Sequence, residues 1–107
     1  MKVTSPSNYV FHVEFNRPER RNAMNPTFFS EIKKCFEQLK YDQDCRAVLV
    51  SGKGKGFTAG LDLTELSQMV SIDQEDVGRK GFHLRRIIDD YQTSLTSIEK
   101  VSLLLKI

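Results

Sequence analysis

Phe11, Val13 and Phe15 alternate with His12 and Glu14 inside the run Tyr9–Phe15. A two-residue period in an aromatic and β-branched run predicts a strand with one buried face. Pro18 lacks a ladder donor and predicts the strand's end, in the polar loop Arg17-Pro18-Glu19-Arg20-Arg21-Asn22. Asn25-Pro26 then carries helix-start chemistry, a capping side chain followed by the residue whose missing N–H costs nothing in the first turn. Phe28, Phe29, Ile32, Cys35, Phe36 and Leu39 recur at helical spacing, while Glu31, Lys33, Lys34 and Glu37 fall elsewhere. An amphipathic helix over residues 26–41 follows.

Arg46-Ala47-Val48-Leu49-Val50-Ser51 is apolar without alternation, which predicts a strand of a parallel sheet buried on both faces. The order strand, helix, strand is that of a βαβ crossover, hence an α/β fold. Gly52-Lys53-Gly54-Lys55-Gly56 interrupts regular structure, and Leu63, Leu66, Met69 and Val70 predict a short helix after it. Beyond a polar break at residues 71–76, a long helix is expected from Asp76 towards Lys100. Leu84, Ile87, Ile88, Tyr91, Leu95 and Ile98 mark its apolar stripe, and Arg85/Asp89 and Arg86/Asp90 are i,i+4 pairs.

Composition narrows the picture. The chain has 107 residues, 39% hydrophobic and 28% charged, which fits one small globular domain. A formal net charge of +2 gives no reason to expect nucleic acid or an anionic membrane as partner. No apolar run reaches the ~20 residues a membrane span needs. The N-terminus lacks an apolar signal core, and Leu105-Lys106-Ile107 does not match a Ser-Lys-Leu address, so no targeting signal is visible. Two cysteines, Cys35 and Cys45, make neither a disulfide framework nor a metal site, and no metal is expected. Cys35 lies on the helix's apolar stripe, His12 on a strand's polar face and His83 on a helix face; none reads as an acid, base or nucleophile.

The glycine loop carries the chemistry. A buried strand feeding a glycine-rich turn and then a helix exposes backbone N–H groups to a ligand. A phosphate-binding P-loop is excluded, because no Gly-Lys-Ser/Thr closes the turn. Gly54-x-Gly56-x-x-Ala59 matches a relaxed dinucleotide pattern, with Asp76 20 positions after Gly56. That fingerprint needs a second strand ending in the acidic residue, whereas Asp76 begins a helical pattern.

The third reading comes from the flanking residues. Phe57-Thr58-Ala59-Gly60-Leu61-Asp62-Leu63 resembles the F-x-A-G-x-D-L segment of the enoyl-CoA hydratase/isomerase (crotonase) family. Asn16-Arg17-Pro18-Glu19-Arg20-Arg21-Asn22-Ala23-Met24-Asn25 resembles its N-R-P-x-x-x-N-A-[LM]-[ND] segment, and Arg46–Gly52 the strand between them. The order and spacing are the family's. Phe57–Leu63 and Leu84–Gln92 look most like its Δ(3,5),Δ(2,4)-dienoyl-CoA isomerase branch.

The resemblance implies the N-terminal part of a spiral of ββα turns, incomplete in these residues, with residues 1–100 belonging to the family domain. Residues 101–107 do not look like the family's next strand and are expected to be a non-family tail. It implies an acyl-CoA thioester as substrate, with no separate cofactor, and a mitochondrial or peroxisomal place in fatty-acid β-oxidation. The intact family assembles as trimers or hexamers. The backbone N–H of Leu61 would be one of two oxyanion donors, within a substrate-binding set of Ala59, Gly60, Leu61, Asp62 and Leu63. Arg21 and Ala23, with Arg17, correspond to the loop near the CoA nucleotide. Leu61 can equally be core, Arg21 a solvated charge, and Asp62 a loop organiser or helix cap. The family's second donor and its catalytic carboxylates lie in segments that these residues do not contain, so the chain alone is expected to be inactive. An alternative is a non-catalytic module that associates with intact family subunits. Phe28, Phe29, Ile32 and Phe36 are expected to need covering from outside the chain.

Overall fold

The computed structural model describes residues 1–64, 76–101 and 104–106. A four-stranded sheet runs β1 (Lys2–Ser7), β2 (Val10–Phe15), β3 (Ala47–Gly52), β4 (Leu104–Lys106), in that spatial order. β1 is antiparallel to β2; β2, β3 and β4 are mutually parallel. Helices α1 (Pro26–Tyr41) and α2 (Val77–Glu99) provide the crossovers. The expected helix residues Leu66, Met69 and Val70 lie outside the described residues.

The start of α1 is fixed by its cap. Asn25 is extended, and its Oδ1 accepts from the Phe28 N–H at 2.8 Å. The helix then buries Phe28, Phe29, Ile32, Phe36 and Leu39. Phe28, Ile32, Phe36 and Leu39 meet Val13 and Phe15 of β2 and Val48 and Val50 of β3 in one core, while Phe29 is covered by Tyr91. Phe15 packs edge-on to Phe28 with ring centroids 4.9 Å apart. This corrects an expectation: the apolar face of α1 is covered within the chain.

Three other differences have physical causes. β1 carries no buried residue and includes Pro6. An edge strand tolerates proline where its N–H side faces outward, and the register slips between Thr4 and Ser7. β3 is buried on one face only: Val48 and Val50 are inside, while Leu49 is 38% exposed. On that outer face His12 is half-buried and shares a 2.6 Å hydrogen bond with the Ser51 hydroxyl. The segment after α2, not expected as a strand, supplies β4, with Leu104 opposite Ala47 and Lys106 opposite Leu49. The open edge of β3 offers unpaired backbone groups for it.

α2 begins where Asp76 caps it, its Oδ1 accepting from the Arg79 N–H at 2.8 Å. It packs on α1 through Tyr91, whose ring stacks on Phe29 at 4.0 Å. The expected apolar stripe is split. Ile98 packs against the core and Tyr91 against α1, but Leu84, Ile88 and Leu95 stay 37%, 52% and 43% exposed. Small buried Ser94 and Ser97 take the contact face instead, which lets the helix lie close. Arg85/Asp89 and Arg86/Asp90 do not close into ion pairs.

Candidate functional site

Two loops leave the C-terminal ends of the parallel strands β2 and β3, the end where open α/β sheets bind ligands. The first, residues 16–25, turns through a short 3-10 segment, Pro18–Arg20. Arg21 and Asn22 then both take left-handed backbone conformations, φ 53° and 56°. The second is the glycine loop. A Cβ at Gly52 would run into the carbonyl oxygen of Phe57, so only glycine lets the loop double back there. Phe57 closes the turn by stacking on Phe15 at 4.9 Å.

The loops are stitched together. The Ala59 N–H donates to the Arg21 carbonyl at 2.9 Å, Met24 N–H to Gly60 C=O at 2.7 Å, and Asp62 N–H to Met24 C=O at 2.9 Å. Met24 and Leu61 thus form a parallel bridge. In a parallel bridge the residue opposite Met24 turns its own N–H away from its partner. The Leu61 N–H accordingly has no acceptor among the described residues, and Leu61 is 45% exposed. Gly60 reaches this geometry at φ 90°, which side-chain-bearing residues avoid.

A cavity of about 710 Å³ opens beside the stitched loops, lined by Pro18, Arg21, Lys53, Lys55, Thr58 and Ala59 among others. Arg21, Lys53 and Lys55 are exposed and form no ion pair among the described residues. Three cations at one mouth attract an anion such as a phosphate. Two residues beyond Ala59, the Leu61 N–H, which has no acceptor among the described residues, can donate to a second oxygen.

Not every expected site residue reaches this cavity. Ala59 and Arg21 line it; Ala23 does not, and its carbonyl instead accepts from Arg17 Nη1 at 2.8 Å. Arg17 also turns inward, making a 2.8 Å ion pair with Asp62 Oδ2. Asp62 is buried, and its Oδ1 accepts from the Thr64 N–H at 3.2 Å, so it braces the loop. Leu63 is 72% exposed. Sequence reasoning missed Asn22, which is fully buried at the centre of the stitching. Burial pushes the Cys35 and Cys45 thiols upward, consistent with inert core positions rather than nucleophiles. Among the described residues no group of three His, Cys, Asp or Glu side chains could hold a metal ion, and no helix is long and apolar enough to cross a membrane.

Comparison with known proteins places this geometry. Residues 5–99 match the family model described as enoyl-CoA hydratase/isomerase. The chain belongs to the enoyl-CoA hydratase/isomerase family. Among similar relatives is the mitochondrial Delta(3,5)-Delta(2,4)-dienoyl-CoA isomerase of Rattus norvegicus, 48% identical over 101 residues, which are 94% of this chain and 31% of that protein. The peroxisomal protein of the same name from Arabidopsis thaliana is 39% identical over 93 residues, 85% of this chain and 34% of that protein. The chain therefore spans about a third of the length of the curated relatives it matches. Of solved structures, an enoyl-CoA hydratase/isomerase from Marinobacter aquaeolei superposes with a TM-score of 0.81 at 20% identity, over 97% of this chain and 38% of that one. An enoyl-CoA hydratase from Bacillus anthracis gives 0.77 at 20% identity, over 97% and 37%. These structures establish for this chain the α/β fold of the enoyl-CoA hydratase/isomerase family, over somewhat more than a third of their own length.

Proposed function

We propose that this family member binds acyl-CoA thioesters in the manner of a dienoyl-CoA isomerase. The cavity at Arg21, Lys53 and Lys55 takes the phosphates, and the Leu61 N–H takes the thioester oxygen. The observation that carries this reading is the Leu61 amide, left by the Met24 bridge without an acceptor among the described residues, two positions after Ala59 of the cationic cavity. A fixed N–H stabilises negative charge that grows on the thioester oxygen as an enolate forms, which is selective for the transition state. The identity to dienoyl-CoA isomerases supports the substrate class, and the mitochondrial and peroxisomal names of those relatives support one of those compartments for the chemistry. The substrate is the CoA ester itself, and the reading calls for no cofactor.

On this reading the chain carries one oxyanion donor, and the family resemblance puts the catalytic carboxylates in segments outside these residues, so the chain alone binds without turning over. General acid–base groups contribute about 10²–10⁴-fold, and their absence leaves little rate. Titration with CoA, dephospho-CoA and NAD tests the binding reading. CoA should bind most tightly and lose affinity with salt. Equal affinity for all three, or none for CoA, would overturn it. Steady turnover in an ultraviolet dienoyl-CoA assay would overturn the inactivity.

A second reading has its own observation. Leu84, Ile88 and Leu95 form an exposed apolar stripe on α2, which favours a non-catalytic module that joins intact family subunits in their trimers or hexamers. Subunit exchange with a labelled full-length relative distinguishes it: incorporation supports the module, and its absence refutes it.

A further inference from the structure

Asn22 is hydrogen-bonded to the loop that lines the cationic cavity and leads to Leu61. It is fully buried, and its φ of 56° is a conformation that asparagine tolerates better than most residues. Its Nδ2 donates towards three carbonyls of the glycine loop: Lys53 at 3.0 Å, Gly56 at 3.3 Å and Phe57 at 3.0 Å. Its Oδ1 accepts from the Arg17 N–H at 2.8 Å. Its own carbonyl accepts from the Thr58 hydroxyl at 2.6 Å, and Thr58 Oγ1 in turn accepts from the Gly60 N–H at 3.1 Å. One side chain therefore fixes the loop that carries Lys53 and Lys55, and one relay from its backbone fixes the residue before Leu61. Loop carbonyls pointing inward have no ladder to satisfy them, so a buried amide with two hydrogens is the group that can hold them.

We infer that Asn22 is a positioning residue that sets the spacing between the phosphate-binding cavity and the Leu61 N–H, so that one acyl-CoA engages both. The inference rests on the acyl-CoA reading above. A ligand that spans two subsites gains from the second only when their spacing is preset; a loosened loop loses that gain while each subsite persists.

The test uses the whole chain and two probes, free CoA and a conjugated dienoyl-CoA whose near-ultraviolet band shifts to the red when its carbonyl is polarised. The measured quantity is the ratio of the two affinities, together with the position of the bound band. Partial unfolding weakens both probes by the same factor and cancels in the ratio, so a merely structural role would not move it. Asn22→Gly keeps the left-handed backbone accessible and removes the side chain with its amide. Thr58→Val removes the relay with little change of shape, and serves if the glycine variant binds neither probe. Ile32→Val, in the core, is the control for lost stability. We expect Asn22→Gly to cut the thioester's advantage over CoA by at least ~10-fold, the size of one or two buried hydrogen bonds, and to abolish the red shift. Thr58→Val should do the same in smaller measure, and Ile32→Val should leave ratio and band unchanged. A wild-type chain that prefers the thioester, with variants that keep both ratio and shift, overturns the role of Asn22 and leaves the acyl-CoA reading standing. A wild-type chain that binds neither probe overturns both.

Discussion

Replacing Asp62 by Asn removes the charge that faces Arg17 and keeps the side chain's shape. The pair is well made: Arg17 Nη1 lies 2.8 Å from Asp62 Oδ2, with side-chain exposures of 20% and 7%. Unit charges ~4 Å apart attract by about 4 kcal/mol at an effective dielectric of 20. Desolvating the carboxylate offsets part of that, and hydrogen bonds to charged groups measure about 1.5–3 kcal/mol net. Asp62→Asn should therefore destabilise the chain by about 2 kcal/mol. Arg17→Met should cost about 3 kcal/mol, because it also leaves the buried Asp62 without this cation and the Ala23 carbonyl without this donor. The double variant should fall short of the sum by about 1–2 kcal/mol, since the second change removes a partner already lost. Urea unfolding of the four proteins, followed by far-ultraviolet circular dichroism, gives the cycle. A variant unfolded without denaturant can be titrated from the other side with trimethylamine oxide. Full additivity, within about 0.3 kcal/mol, would refute the claim that this ion pair braces the two motif loops against each other.

Three further outcomes follow from named contacts. Ile32 is fully buried between α1 and the sheet, so Ile32→Ala should cost about 2–5 kcal/mol in the same urea assay; a loss under about 1 kcal/mol would contradict the core described. Leu61→Ala keeps the backbone donor and should retain the thioester's preference over free CoA. Leu61→Pro, shown folded by circular dichroism, should lose it, and in a full-length relative should lower turnover by roughly 100-fold; a folded proline variant with normal preference would withdraw the donor assignment. Burial raises the Cys35 and Cys45 thiols, which are held protonated in the fold. Their contribution to stability is present below the ordinary thiol range and is lost as pH rises from about 8.5 through the raised folded values. Iodoacetamide should accordingly label the native chain far more slowly than the urea-unfolded chain at about pH 8.5, and equal rates would contradict the burial.

Local chemistry made much of this legible in the sequence. Asn25-Pro26 and the stripe from Phe28 to Leu39 specify α1 to the residue, because cap and periodicity agree. The alternation around Val13 specifies β2. β1 was illegible for a physical reason: a strand that buries nothing has no pattern, and pairing with β2 alone creates it. The apolar run of β3 reads as buried on both faces, yet Leu49 faces outward, since the run records what can be covered and not what covers it. The motif around Gly60 located the Leu61 amide only through family resemblance. Its lack of an acceptor comes from a bridge to Met24, 37 positions away. Asn22 carried no signal of its own, because the loop carbonyls its amide holds lie 31 to 35 positions downstream. By resemblance Arg17 reads as part of the loop near the CoA nucleotide, whereas the ion pair with Asp62, 45 positions on, turns it inward.

The Leu61 amide decides the central claim. Two-dimensional nitrogen–proton spectra of the chain, with and without saturating acyl-CoA, report it directly. The amides of Met24 and Asp62 are already bonded to Gly60 and Met24 and serve as internal references. The account predicts that the Leu61 amide proton moves downfield on addition of the thioester, by more than either reference, and that free CoA leaves it nearly in place. A saturated complex in which Leu61 does not move, or moves no more with the thioester than with CoA alone, would contradict the assignment of this N–H to the thioester oxygen.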